Sequence, residues 1–245
     1  MANPSFFVGV IGNIIAMLLA LSPVKTFWRI LQNRSTEEFE SLPYVCALLN
    51  SMLWTYYGLT KSGEILVVTI NVFIVIVETV YLIIFLVYAS PRMKAKTALL
   101  VGLLDVGFPA AAILIIELLL HGEMKIDVLG FICAVLSIIM FGSPLVAMRT
   151  VVMSKSVEYM PFLLSLFVAL TGGIWTLYAV LVKDLFLAVP NGVGFLLGVA
   201  QLVVYAIFRK PNSSKRLPDG DDIEDEWQHQ HLISASIPIL QKIKS

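Results

Sequence analysis

Apolar residues along the chain gather into seven runs, at 6–24, 43–59, 65–89, 98–120, 128–148, 161–182 and 185–208. Each approaches the ~20 residues that a helix needs to cross ~30 Å of hydrocarbon, the second being short for the purpose. The pattern predicts an all-α integral membrane protein with seven transmembrane helices. The first run also has the look of a secretory leader. No Lys or Arg precedes it, however, and it is longer than the usual apolar region of about 7–15 residues.

The runs repeat. SPVKTFWRILQNRS, starting at Ser22, aligns without a gap on SPLVAMRTVVMSKS, starting at Ser143, at an offset of 121. LWTYYG from Leu53 meets IWTLYA from Ile174 at the same offset, and Asn71 meets Asn191 at 120. Pro43 and Pro161 are 118 apart, a slip of three residues that turns a helix by about 300° and leaves the pairing of Trp54 with Trp175 open. The duplication covers runs one to three and five to seven. The expected organisation is a first three-helix repeat at 6–89, a linker helix at 97–121, a second repeat at 127–210 and a disordered cytosolic tail at 211–245. An odd number of crossings per unit would invert a directly joined second copy, and one extra span restores its direction. Two parallel three-helix bundles then face each other, and such repeats place a substrate site near the midplane at their interface.

Composition agrees with the membrane reading: 58% of residues are hydrophobic and 14% charged. Net charge is zero, but its distribution is uneven. Arg29, Arg34, Arg92, Lys94, Lys96, Arg149, Lys155, Arg209, Lys210, Lys215 and Arg216 share one side of the predicted topology, against Lys61, Lys125 and Lys183 on the other. By the positive-inside rule the N-terminus is outside or luminal and the C-terminus cytosolic. Cys46 and Cys133 fall within spans and read as apolar packing residues rather than a disulfide. The sequons at Asn33 and Asn212 lie on the cytosolic side, where glycosylation is not expected.

Four prolines, Pro23, Pro43, Pro144 and Pro161, recur at corresponding helix ends, where a missing N–H and a steric clash predict kinks able to bend the cytosolic mouth. Asn71 and Asn191 bring amides to membrane depth, and Asn13 reads as a helix-to-helix hydrogen bond. Trp54 and Trp175 lie nearer the middle of their helices than the ends. An aromatic plate with amides at its edge suits the apolar face and hydroxyl rim of a sugar ring. The candidate substrate-binding set is Asn71, Asn191, Trp54, Trp175 and Ser51, and the candidate outer gate is Tyr57, Lys61 and Asp184. Lys61 and Asp184 are expected to form a solvated ion pair worth roughly 0–1 kcal/mol. Glu78, Asp105 and Glu117 are the acids inside spans; Glu78, two turns from Asn71, raises the option of proton coupling against that of a structural hydrogen bond. His121, His229 and His231 sit at or beyond helix ends, and the chain carries no metal spacing, nucleophile elbow or phosphate loop, so neither an enzyme nor a cofactor is expected.

Ser22-Pro23, STEEFESLPY, LWTYYG, SPLVAMRTVVMSKSVEYMPFLLSL and VPNGVGFLLG, in this order in both repeats, resemble the plant SWEET sugar transporters of the wider PQ-loop group that includes the SemiSWEETs. The resemblance runs from Phe6 to Lys210. It implies a bidirectional, energy-independent sugar uniporter working by alternating access, with a mono- or disaccharide substrate, a lipid bilayer around it, no nucleic-acid partner and often a homo-oligomeric state. By the same resemblance Pro23, Pro43, Pro144 and Pro161 match a hinge tetrad, Asn71, Asn191 and Trp175 match the pocket, and Asp184 matches an outer-gate acid. Position 54 departs from members with a small residue there, and a second tryptophan narrows the pocket, so hexose (glucose or fructose) is expected over sucrose. SFFVGVIGN and SVEYMPF look most like the vacuolar subgroup, although nothing in the chain separates vacuolar from plasma membrane. Rival readings are a proton-coupled carrier of the PQ-loop type, which shares the fold although the chain has no Pro-Gln dipeptide, and a seven-helix receptor, for which a 3+1+3 repeat has no purpose.

Overall fold

The computed structural model describes residues 4–157, 160 and 162–209. The expected hinge at Pro161 and the expected tail at 211–245 lie outside the described residues. In chain order the helices are α1 (Pro4–Ala20), α2 (Val24–Asn33), α3 (Leu42–Thr60), α4 (Ile65–Tyr88), α5 (Pro91–Leu100), a π-helical turn (Val101–Gly107), α6 (Phe108–Leu119), α7 (Glu123–Met140), α8 (Gly142–Ser154), α9 (Phe162–Val182) and α10 (Leu185–Phe208). Six helical runs among the described residues are long and apolar enough to cross a membrane. The seventh expected span, α3, has 19 residues, about 28 Å of helix. It carries Asn50, Ser51, Thr55 and Thr60 because much of its surface meets protein instead of lipid.

Proline chemistry sets the breaks. The Pro144 ring would clash with the carbonyl four residues back, that of Met140, and α7 ends at Met140. Pro23 stands at the N-cap of α2, and α1 stops at Ala20. Tight-turn bonds replace the helix ladder there, Ser22 N–H to Leu19 O at 3.0 Å and Val24 N–H to Leu21 O at 3.1 Å. The Tyr81 hydroxyl donates to the Ala20 carbonyl left at the helix end, at 3.3 Å. The linker begins earlier than the apolar pattern implies, at Pro91 rather than 98: Ser90 caps it by accepting the Met93 N–H, and the exposed Arg92, Lys94 and Lys96 need no burial. Its π turn has the same origin as the breaks. Pro109 cannot bond the Asp105 carbonyl, the ladder widens, and Phe108 N–H reaches five residues back to Leu103 O.

The six repeat helices close a ring. In the first copy α4 packs between α1 and α3; in the second α10 packs between α7 and α9. Across the copies α1 meets α9 and α3 meets α7, the arrangement expected of two parallel units related by a two-fold axis along the helices. The linker lies against α3 and also touches α4 and α7. Small residues allow the closest approach: a Cβ at Gly198 would fall 2.7 Å from the Ala169 backbone, and one at Gly172 2.5 Å from Phe195 N. Asn13 joins α1 to α4 by donating to Leu66 O at 3.0 Å and accepting from the Thr69 hydroxyl at 3.0 Å. Cys133 is buried and Cys46 half-buried, both as free thiols.

Candidate functional site

At the centre of the ring, between the copies, lies a cavity of about 280 Å³. Its walls are contributed in pairs one repeat apart: Ala16 and Ser137, Leu19 and Met140, Asn50 and Thr171, Trp54 and Trp175, Val67 and Leu187, Ile70 and Pro190, Asn71 and Asn191. The asparagines are held alike. Asn71 Nδ2 donates to Val67 O at 2.8 Å and Asn191 Nδ2 to Leu187 O at 2.9 Å, so each keeps its amide oxygen and second N–H for the cavity. The tryptophans are also held alike. Trp54 meets Tyr57 edge-on at 5.2 Å, Trp175 meets Tyr178 edge-on at 5.3 Å, and each indole is 5% exposed. Their equivalence, left open by the slip between Pro43 and Pro161, follows from this shared geometry. Gly12 makes room on α1 for the Trp175 ring, which a Cβ there would approach to 3.2 Å.

One half of the cavity is more tightly wired than the other. Trp54 Nε1 donates to Ser137 Oγ at 3.0 Å, and Ser137 donates onward to Asn50 Oδ1 at 2.9 Å, fixing the Trp54 ring across the boundary between copies. Opposite, Ala16 has no hydroxyl to offer, and the buried Thr171 hydroxyl has no hydrogen-bond partner among the described residues. Ser51, expected in the substrate set, is buried and absent from the lining. Successive helix positions are 100° apart, so α3 turns Asn50 to the cavity and Ser51 into protein.

The two ends of the cavity differ. Toward the breaks after α1 and α7, the lining residues Leu19, Met140 and Phe141 are half-exposed. At the other end Tyr57, Tyr178, Glu64 and Asp184 are buried. Tyr57 donates to Asp184 Oδ2 at 2.8 Å, and Tyr178 donates to Glu64 Oε2 at 2.9 Å. Each tyrosine of one copy thus grips the acid at the start of the third helix of the other. Lys61 bonds Asp184 at 2.7 Å, but the expectation of a solvated pair is corrected: the Asp184 side chain is 0% exposed and that of Lys61 26%. Asp184 further accepts the Leu187 N–H at 3.1 Å, capping α10. A buried carboxylate with three donors has far more to lose than a surface ion pair.

The remaining acids lie elsewhere. Glu78 faces Tyr44 and Tyr81 rather than the cavity, and its Oε2 has no hydrogen-bond partner among the described residues, in place of the expected structural bond. Asp105 is buried in the π turn with both oxygens unpartnered among the described residues. Glu117 accepts the Tyr56 hydroxyl and pairs with Lys125 at 2.5 Å, joining the linker to α3 and α7. Asn50, Ser137, Thr171 and Glu64 were not foreseen from sequence. The repeat offset was the available signal: Asn50 and Thr171 stand 121 apart, and Glu64 and Asp184, like the two asparagines, 120.

A family model described as sugar efflux transporter for intercellular exchange matches residues 6–93 and 127–213, two blocks that flank the linker. The chain is 55% identical over 210 residues to the bidirectional sugar transporter SWEET17 of Arabidopsis thaliana, covering 85% of this chain and 87% of that protein. It is 52% identical over 210 residues to SWEET16 of the same plant, covering 85% and 91%. A solved structure of a eukaryotic SWEET transporter superposes with a TM-score of 0.80 at 39% identity, covering 83% of this chain and 96% of that one.

Proposed function

We propose, on the premise that the chain belongs to the SWEET family of sugar transporters and not to a family of enzymes, that it carries a hexose, glucose or fructose, down its gradient in either direction by alternating access. The observation that carries this reading is the paired cavity. Two indole plates and two amides face a space of about 280 Å³, which suits one sugar ring and is tight for two. Asn71, Asn191, Trp54 and Trp175 bind the ring. Asn50, Ser137 and Thr171 add hydroxyl and amide groups at its rim.

Facilitated rather than proton-coupled movement is supported by the lining, which contains no acid, base or histidine. Glu78 and Asp105 lie outside it, so no titratable group meets the sugar directly. Alternating access is supported by the contrast between the ends: one is closed by the two tyrosine–carboxylate pairs, and the other opens where Pro23 and Pro144 interrupt the first helix of each copy. Pro43 stands near the start of α3, where the same bending would be absorbed. The basic end, with Arg29, Arg92, Lys94, Lys96 and Arg149, faces the cytosol, and the closed end faces the outside or a lumen. The membrane is vacuolar or plasma membrane, and the protein works as a homo-oligomer.

Counterflow of radiolabelled glucose, fructose and sucrose in proteoliposomes tests the reading. Exchange of the hexoses without a driving ion is expected, with sucrose slower. Concentrative uptake driven by an imposed proton gradient would overturn the uniport mechanism.

A further inference from the structure

The two acids that close the outer end are not equivalent. Asp184 receives Tyr57, Lys61 and a backbone N–H. Its counterpart Glu64 is 4% exposed, yet among the described residues one side chain, Tyr178, donates to it. Glu64 stands at the N-cap of α4 but makes no side-chain cap bond there, so its charge is directed wholly across the boundary between copies.

From this contrast we infer that Glu64 is a proton-sensitive positioning residue of the outer mouth, acting through Tyr178, whose protonation favours the closed state.

The charged and titratable surroundings are few. Tyr178 comes from α9, and Asp184 from the turn before α10; both meet Glu64 directly or by charge. Lys61, at the end of α3, is the nearby cation but is committed to Asp184. Tyr57 of α3 feels Glu64 but bonds Asp184. α1, packed on α4 and α9, carries no titratable side chain, and the tyrosine of α10, Tyr205, stands against Phe162 at the far end of its helix. Glu123, Asp127 and Lys183 line the same outer pocket as Lys61 and Asp184, but Lys61 is bonded to Asp184, and Glu64 is left with the Tyr178 hydroxyl in a buried place. Burial raises the Glu64 carboxyl above its ordinary range; Asp184 adds to the rise, while the Tyr178 bond and Lys61 oppose it without cancelling it.

The sign follows from linkage. When the mouth opens, water solvates Glu64 and returns it toward the ordinary carboxylate range. The closed state thus binds the proton more tightly. Its advantage is present below the ordinary value and is lost as pH rises through the raised one, where closing must bury a charge. Acidity on the outer side holds the mouth shut, and neutrality there releases it. The consequence for sugar flux rests on the function proposed above, but the gate itself can be read without sugar.

The test is hydrogen exchange, followed by mass spectrometry, of the full chain in lipid nanodiscs over a pH series, corrected for intrinsic amide rates. Peptides covering 57–68 and 178–188 report the mouth. In the wild type their protection is expected to fall as pH rises from mildly acidic to mildly alkaline. Glu64→Gln should abolish that dependence and keep protection uniformly high. Glu64→Asp should retain it with a lower midpoint, and Tyr178→Phe should move the midpoint upward by removing the bond that favours the charged form. A Glu64→Gln profile parallel to the wild type would overturn the inference, and so would an unmoved midpoint in Tyr178→Phe. Loss of sugar exchange with the protection profiles intact would count against the transport reading alone.

Discussion

Tyr57 of the first repeat donates its hydroxyl to Asp184 of the second at 2.8 Å, in a place where the acid is wholly buried and Lys61 completes the contact at 2.7 Å. Because a buried charge loses more when stripped of its partner than the pair gains by forming, this contact behaves as a unit. A double-mutant cycle with Lys61→Ala and Asp184→Ala, read from thermal unfolding, should give a coupling above about 1 kcal/mol. Exposed pairs give about 0.2–1 kcal/mol. A coupling inside that lower range would mean that the pair is no stronger than a solvated one.

The relay from Trp54 through Ser137 to Asn50 fixes one wall of the cavity. Ser137→Ala removes both bonds and leaves the indole N–H without its partner, at a cost of about 1–3 kcal/mol. Hexose affinity measured by calorimetry should fall roughly tenfold or more on that scale. Ala16→Ser, at the position one repeat away, offers Trp175 a hydroxyl and should change affinity much less.

Trp54 and Trp175 together narrow the cavity. Trp54→Ser should raise sucrose flux relative to glucose flux in counterflow. Selectivity identical to the wild type would remove the tryptophan as the determinant of substrate size.

Pro23 holds α1 and α2 apart. Pro23→Ala restores a backbone donor and lets the two helices join, stiffening the mouth. Sugar exchange is expected to slow while equilibrium hexose affinity stays near the wild-type value. An equal loss of both would point to misfolding rather than a lost hinge.

Backbone proximity makes two glycines opposites. Gly198→Ala would force a methyl against the Ala169 backbone, which cannot move aside without separating α9 from α10, and should destabilise by about 1–3 kcal/mol. Gly102→Ala meets nothing within 4 Å and should be neutral or stabilising by about 0.4–1 kcal/mol. The difference in melting temperature between the two variants checks the pair.

The apolar runs and the offset near 121 determine, by themselves, the membrane class, the 3+1+3 organisation and the pairing of Asn71 with Asn191. They can do so because a helix in lipid must satisfy its own backbone and present an apolar surface, which writes its length into composition. Breaks at prolines were legible for the same local reason. Tertiary structure alone decided which copy each side chain addresses. Tyr57 and Tyr178 reach across to the opposite repeat, Ser137 steadies a tryptophan of the other copy, Ser51 turns away from the cavity beside Asn50, and Asp184 is buried although its loop is polar. None of these follows from periodicity. Each depends on how two bundles are set against each other, and therefore on contacts between residues more than eighty positions apart.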